Sequence, residues 1–231
     1  MRDTEKAKEA LTHVLWIGGA PDAGKTSVAT ALVKKYGLQS YNLDEHAEEH
    51  WLNHVSQNPS AFGHALMQLS LDERWLQPPE IQVQNVLRIT EDDFVLVLSD
   101  LLAMPQEPPI LVEGNLPPAL IAPYLTSKHQ AIWMVPSEAF YKVSFRRRGK
   151  DQAHNARIDP QQTRANHMAR DLLLVAHVKQ EAQTQELPLL EVDSAHPLAD
   201  IVATVEAHFA PFLNRLERSI SPLTDTERGS T

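Results

Sequence analysis

Short apolar segments alternate with longer helical segments along most of the chain. The apolar segments span residues 13–17, 39–43, 109–113, 131–135 and 187–192, and turn or helix-capping residues bound each of them. Short, continuously apolar runs of this kind are typical of buried parallel strands. Because strands that alternate with helices form βαβ crossovers, the pattern predicts an α/β fold with a parallel sheet.

Between these strands, apolar residues recur at the three- and four-residue spacing of a helix face. This spacing predicts helices at residues 24–36, 92–104 and 199–213. Residues 44–89 contain no convincing strand pattern. We therefore expect a helical insertion, over about residues 45–90, between the second and third strands.

The length and composition of the chain indicate one folded domain. With 231 residues, 42% of them hydrophobic, the chain can bury a core without disulfide or metal cross-links. We expect this domain to cover residues 1–213, and the polar, aperiodic segment 214–231 to be a flexible tail. The absence of cysteine excludes disulfide scaffolds, thiolate zinc sites and cysteine nucleophiles. Since the sequence contains no signal-peptide or membrane-span pattern, a cytoplasmic location is expected.

Charge is distributed unevenly along the chain. The net charge of −9 argues against a nucleic-acid or membrane-surface partner. Between Lys142 and Arg170, however, eight Lys and Arg residues stand against two Asp residues. This cationic segment predicts an anionic ligand such as a triphosphate, although a solvated basic helix face or a nucleic-acid patch would give the same composition.

The most specific motif is GAPDAGKT at residues 19–26, which matches G-x-x-x-x-G-K-[ST]. Its glycines allow the backbone to curl so that successive N–H groups point at phosphate oxygens, and the motif follows a strand and opens a helix, as this mechanism requires. Lys25 would reach the β- and γ-phosphates, and the Thr26 hydroxyl would bind Mg²⁺. A strand-to-helix turn without a ligand is the alternative. The predicted nucleotide-binding residues are Gly19, Ala20, Pro21, Asp22, Ala23, Gly24, Lys25, Thr26 and Ser27.

Two carboxylates follow predicted strands. Glu113 ends the third strand, where it could hold Mg²⁺ through water or contact an acceptor substrate; the alternative is a structural hydrogen bond. Asp44 follows the second strand and should project from its carboxyl end towards the γ-phosphate. The alternative for Asp44 is that it caps the next helix, since Asp is a preferred N-cap residue.

These residues, together with the arginine-rich segment near Arg146, resemble the nucleoside-kinase-like P-loop kinases, which include adenylate, shikimate and gluconate kinases and chloramphenicol phosphotransferase. The resemblance covers about residues 13–213, and only the phosphate-loop motif is specific. It implies a three-layer P-loop NTPase fold with a five-stranded parallel sheet in the order 2-3-1-4-5. It also implies an acceptor-binding helical insertion and a mobile lid over about residues 146–165. The acceptor region matches the signature of no member.

The resemblance implies ATP-dependent, Mg²⁺-requiring transfer of the γ-phosphate to a small-molecule acceptor, at a hydroxyl group. Lys25 would neutralise charge on the transferring group and Asp44 would orient the acceptor hydroxyl or accept its proton. Lid arginines, with Arg147 ranked before Arg157 and Arg164, would close over the phosphates. The sequence specifies neither the acceptor nor the oligomeric state.

Two other functions are compatible with the sequence. A nucleotide-binding sensor or ATPase would use the phosphate loop without a small-molecule acceptor. A zinc hydrolase would use the stretch HAEEH, in which His46 and His50 share a helix face and the preceding glutamate acts as base. The short motif and the lack of a clear third ligand downstream make this alternative the weaker one.

Overall fold

The structure is a computed structural model that describes residues 2–57 and 62–220. A five-stranded parallel sheet lies at the centre of this part of the chain. Its strand order is β2-β3-β1-β4-β5, and every neighbouring pair runs parallel. The α/β prediction and the strand order that the resemblance implies are thereby confirmed. The strands are Val14–Gly19 (β1), Gln39–Asn42 (β2), Ile110–Glu113 (β3), Ala131–Pro136 (β4) and Leu189–Val192 (β5).

Helices connect the strands. Four of them, α3 to α6, lie between β2 and β3, where the sequence predicts a helical insertion. The α-helices are Arg2–Ala10 (α1), Lys25–Tyr36 (α2), Leu43–Gln57 (α3), Phe62–Gln68 (α4), Leu71–Leu76 (α5), Pro79–Ala103 (α6), Pro118–Ile121 (α7), Glu138–Arg147 (α8), Pro160–Thr184 (α9) and Leu198–Ile220 (α10). Short 3-10 turns cover Ala122–Tyr124, Lys128–Gln130 and Gln152–His154.

Both faces of the sheet are covered by helices. All six residues of β1 are buried, and the first four alternate between two apolar clusters. Trp16 packs on one side in a cluster that includes Phe94 of α6. Ile17 packs on the other side in a cluster with Leu32 of α2 and Phe209 of α10. This two-sided burial is why β1, β3 and β4 are almost continuously apolar rather than alternating.

Two helices are longer than the spacing of apolar residues predicts. Helix α6 begins at Pro79 instead of residue 92. A proline is tolerated at this position because the N–H groups of the first helical turn have no partner within the helix, so the N–H that proline lacks is not missed. Helix α10 continues to Ile220, so residues 214–220 of the predicted flexible tail are helical. The rest of that tail, 221–231, lies outside the described residues. None of the described helices has the length and apolar character needed to cross a bilayer.

Candidate functional site

The loop between β1 and α2 follows the curled path that its glycines predict. Gly19 at its start has a φ of 130° and Gly24 at its end has a φ of 79°, values that favour glycine. A Cβ on Gly19 would lie 1.9 Å from the Met134 carbonyl oxygen, so the loop passes directly against β4. The Ala20 N–H donates to the same oxygen at 3.0 Å. The neighbouring strand therefore fixes the path of the loop.

Helix α2 begins directly after this loop. Its N-cap residue is Gly24, which has no side chain to accept a hydrogen bond from the first turn. The backbone N–H groups of that turn have no partner within the helix, and they carry the positive end of the helix dipole. This arrangement favours a bound anion at the start of α2.

A cleft of about 640 Å³ opens beside the loop, a volume typical of small-molecule sites. It lies at the carboxyl ends of β1, β2 and β3, where open parallel sheets bind their ligands. Most of the residues predicted from the sequence line it; the exceptions are Gly19, Ala20, Arg157 and Arg164. The lining residues are Pro21, Asp22, Ala23, Gly24, Lys25, Thr26, Ser27, Asp44, Trp75, Glu113, Gly114, Asn115, Phe140, Ser144, Arg147, Arg148, Lys150, His167 and Arg170.

Lys25 is buried at the centre of the cleft. Its Nζ donates to the Ala20 carbonyl oxygen at 2.7 Å and to Asn115 Oδ1 at 2.8 Å. Burial lowers the pKa of Lys25 to about 8, although the carboxylates of Glu113 and Asp44 oppose this shift. Two neutral oxygens thus hold the ammonium group in place, and its positive charge would attract an anion that enters the cleft.

Glu113 ends β3 beside Lys25. Its Oε1 atom is buried and has no hydrogen-bond partner among the described residues. Burial raises the pKa of Glu113, and a hydrogen bond with Thr26 and the charge of Lys25 only partly oppose the shift. The hydroxyl of Thr26 and this carboxylate provide the oxygen donors that Mg²⁺ prefers, so the residues present fit the predicted magnesium ion.

Asp44 lies in the first turn of α3, at the edge of the cleft. The Asp44 N–H donates to Asn42 Oδ1 at 2.8 Å, so Asn42 rather than Asp44 provides the capping oxygen of this helix. Asp44 also lines a smaller adjoining pocket of about 190 Å³, together with Asn115 and the apolar side chains of Phe94 and Leu116. The carboxylate thus stands between the β1–α2 loop and a pocket on the side of the helical insertion.

The cationic segment, residues 142–170, borders the cleft on the opposite side. Arg148 Nη1 lies 2.6 Å from Asp22 Oδ1, and Lys150 Nζ lies 2.7 Å from Asp22 Oδ2. The Asp22 side chain is fully buried. Two ion pairs therefore attach the cationic segment to the β1–α2 loop.

A second buried carboxylate, Asp171 of α9, organises the same cations. It accepts hydrogen bonds from Tyr141 at 2.9 Å and from Arg170 at 2.6 Å, and Lys150 Nζ lies 3.4 Å away. Burial would raise the pKa of Asp171, but a hydrogen bond from His167 and the charges of Arg170 and Lys150 outweigh it and hold the pKa well below its usual range. Asp171 therefore fixes these cations beside the cleft.

The structure separates the predicted lid arginines. Arg147 lines the cleft, whereas Arg157 faces Asp72 at 4.0 Å and is not a lining residue. Arg164 donates to the Asp151 carbonyl oxygen and is likewise outside the lining set.

Several cleft residues escape sequence reasoning. Arg148, Lys150 and Arg170 belong to a run of cations whose directions depend on how α8 and α9 pack. Asn115 carries a weak signal, since it follows the strand that ends at Glu113. Asp22 is one of the predicted loop residues, but it occupies a variable position of the motif, so nothing in the pattern indicates its ion pairs with Arg148 and Lys150.

Known proteins provide no further assignment: no family model matches the chain, and no curated protein sequence matches it.

Proposed function

We propose that the protein is an ATP-dependent, Mg²⁺-requiring phosphotransferase with a P-loop NTPase fold, acting on a hydroxyl of a small molecule. The observation that carries the proposal is the convergence of four features on one cleft at the carboxyl ends of β1, β2 and β3. These are a GxxxxGKT loop that opens a helix, a buried lysine, two carboxylates and a cluster of cations. Each has a distinct task in phosphoryl transfer.

The β1–α2 loop and the start of α2 are suited to hold the phosphates of ATP. Their backbone N–H groups would donate to phosphate oxygens, and Lys25 would exchange its bond to Asn115 for the β- and γ-phosphates. Thr26 would bind Mg²⁺ directly and Glu113 would bind it through water. When bound, the ion neutralises charge that develops on the phosphates.

Asp44 is suited to receive the acceptor hydroxyl. The hydroxyl oxygen would attack the γ-phosphorus while its proton passes to the Asp44 carboxylate, and the bond from the γ-phosphorus to the β–γ bridging oxygen would break to release ADP. Arg147, Arg148 and Arg170 would stabilise the negative charge on the transferring group. Arg157 faces Asp72 outside the cleft, so in this arrangement it would not contact the transferring group.

A coupled ADP-release assay against a library of hydroxyl-bearing metabolites and antibiotics tests the proposal. We expect at least one compound to raise ADP release above the basal rate and to yield a phosphorylated product by mass spectrometry. Lys25→Ala should abolish both signals while its circular dichroism spectrum stays native. ATP binding with no product from any compound would instead favour the sensor or ATPase without an acceptor.

A further inference from the structure

Three metal-ligand side chains meet on the side of the helical insertion. They are His46 and His50 of α3 and Asp100 of α6, and one ligand atom from each lies within 4.8 Å of the others. His46 and His50 are separated by one helical turn, so their imidazoles share one face of α3. We propose that this cluster binds a divalent transition-metal ion of the Zn²⁺ class.

The distances suit a single ion. His50 Nε2 lies 2.7 Å from Asp100 Oδ2, a hydrogen bond in which one proton joins the two ligand atoms. Tetrahedral Zn²⁺, with bonds of about 2.0–2.1 Å, keeps its ligand atoms about 3.3 Å apart. For an ion to replace this proton, the separation of His50 from Asp100 must therefore widen by about 0.6 Å. The other two separations, which are at most 4.8 Å, must shorten by at most about 1.5 Å.

Tyr41 of β2 contacts all three ligands, and its hydroxyl lies 3.4 Å from His50 Nε2. Its hydroxyl donates to Asp100 Oδ2 at 2.7 Å, and its ring stacks on His46 with centroids 4.2 Å apart and planes 8° from parallel. The Tyr41 side chain is itself buried, so its position is fixed by the core. Partners that orient the ligands in this way are typical of metal sites, where the ligand carboxylate and imidazoles are held before the ion arrives.

Burial divides the cluster into a dry side and an open side. The His50 side chain is 7% exposed, whereas Asp100 is 41% exposed. The open side gives an ion a path from solvent and leaves room for water to complete four-coordination. A site of three protein ligands and one water follows.

The donor set distinguishes this site from the magnesium site proposed in the cleft. Two imidazole nitrogens and one carboxylate suit Zn²⁺, Co²⁺ or Ni²⁺, whereas Mg²⁺ takes oxygen ligands. Because α3 also carries Asp44 in its first turn, an ion shared by α3 and α6 would hold the helix that presents that carboxylate. The site itself does not depend on the proposed phosphoryl transfer.

Titration of the full chain with Co²⁺ and Zn²⁺, after treatment with a chelator, tests the proposal. We expect one equivalent of Co²⁺ to give the visible absorption of a tetrahedral site, Zn²⁺ to displace it, and excess Mg²⁺ to leave it unchanged. His46→Ala and Asp100→Asn should each weaken Zn²⁺ binding at least 100-fold by calorimetry. Tyr41→Phe should weaken it about tenfold by releasing the Asp100 carboxylate.

His177→Ala is the matched control. His177 lies 3.0 Å from Glu181, one turn along α9, so it provides an imidazole beside a carboxylate. Within residues 2–57 and 62–220, no third ligand joins this pair. The Zn²⁺ affinity of this variant should equal that of the wild type. Thermal melts identify variants that fail to fold, and His46→Ala, which removes no hydrogen bond of the Tyr41–Asp100–His50 set, keeps the test valid if Asp100→Asn does fail. Absence of stoichiometric binding to the wild type, or unchanged binding by folded His46→Ala, would overturn the proposal.

Discussion

The Arg148 guanidinium lies 2.6 Å from the Asp22 carboxylate, so an ion pair joins the cationic segment to the β1–α2 loop. Lys150 pairs with the other Asp22 oxygen at 2.7 Å. A carboxylate thus engages two cations at the edge of the proposed triphosphate site. Incoming phosphates would meet both the repulsion of Asp22 and the attraction of the cations that it holds.

Asp22→Asn should separate these two effects. Removing the buried negative charge weakens the attachment of Arg148 and Lys150, and we expect the free energy of unfolding to fall by about 1–3 kcal/mol. It also removes repulsion from the phosphate site, so ATP affinity should rise about threefold to tenfold. Urea unfolding and calorimetry measure the two quantities.

Glu186→Gln is the control for this variant, because it removes one carboxylate charge from an exposed pair with Lys128 far from the cleft. Neither stability nor ATP affinity should change appreciably. If Asp22→Asn weakened ATP binding, the cations would need Asp22 to hold them in place, and the repulsive role would be wrong.

The buried Lys25 gives a specific pH dependence of stability. Burial lowers its pKa to about 8 from the 10.5 of an exposed lysine, so between these values the unfolded chain binds more protons than the folded chain. Stability from this group should therefore rise as pH increases from about 8 to about 10.5, by at most about 3 kcal/mol. Urea unfolding across this range, compared with Lys25→Met, isolates the effect. A pH profile of Lys25→Met identical to that of the wild type would contradict it.

Asp44→Asn should lower the rate of phosphoryl transfer about 100-fold or more with little change in ATP affinity, because the proposed role of the carboxylate concerns the acceptor hydroxyl. Steady-state kinetics with a competent acceptor and calorimetry with ATP give the two measurements.

Asn42→Ala is the matched variant, since it removes the cap of the same helix and keeps the carboxylate. It should cost about 1 kcal/mol of stability and reduce transfer far less. Equal losses of rate and ATP affinity in Asp44→Asn would indicate a structural role for Asp44 instead.

Two of the three lid arginines predicted from the sequence should behave differently. Arg147 lines the cleft, so Arg147→Ala should lower kcat about 10–1,000-fold. Arg157 faces Asp72, so Arg157→Ala should change kcat less than about threefold. Parallel kinetic measurements on the two variants check this, and a larger loss from Arg157→Ala would mean that the cationic segment rearranges before transfer.

The strands were predictable because of their environment. A strand with both faces buried is almost continuously apolar, so β1, β3 and β4 stand out from the segments between them. β2 and β5 contain polar or exposed residues and are less distinct. The predicted boundaries of all five strands are correct to within two residues. The β1–α2 loop was predictable for a different reason, since its glycines are required by positive φ values and by contact with β4. In both cases a local physical requirement restricts the residue types.

The remaining features depend on long-range packing. Asp100 contacts His50 only because α6 packs beside α3, and no local sequence pattern predicts which residues of the two helices come into contact. Arg147 and Arg148 line the cleft whereas Arg157 faces Asp72, and this difference likewise follows from the orientations of α8 and the segment after it. Charge along a sequence indicates that an anion site is near, but the fold decides which side chains reach it.

The contact between Gly19 and Met134 has a consequence for how a ligand binds. Because β4 lies directly against Gly19 and the same carbonyl accepts a hydrogen bond from Ala20, the start of the loop is anchored to the sheet before a ligand arrives. Binding then loses little conformational entropy there. Its cost falls instead on Lys25 and the cationic side chains, which must exchange hydrogen bonds and ion pairs within the protein for contacts with the ligand. The affinity for a ligand would then depend on two parts of the site: a loop that stays in place and a set of charged side chains that rearrange.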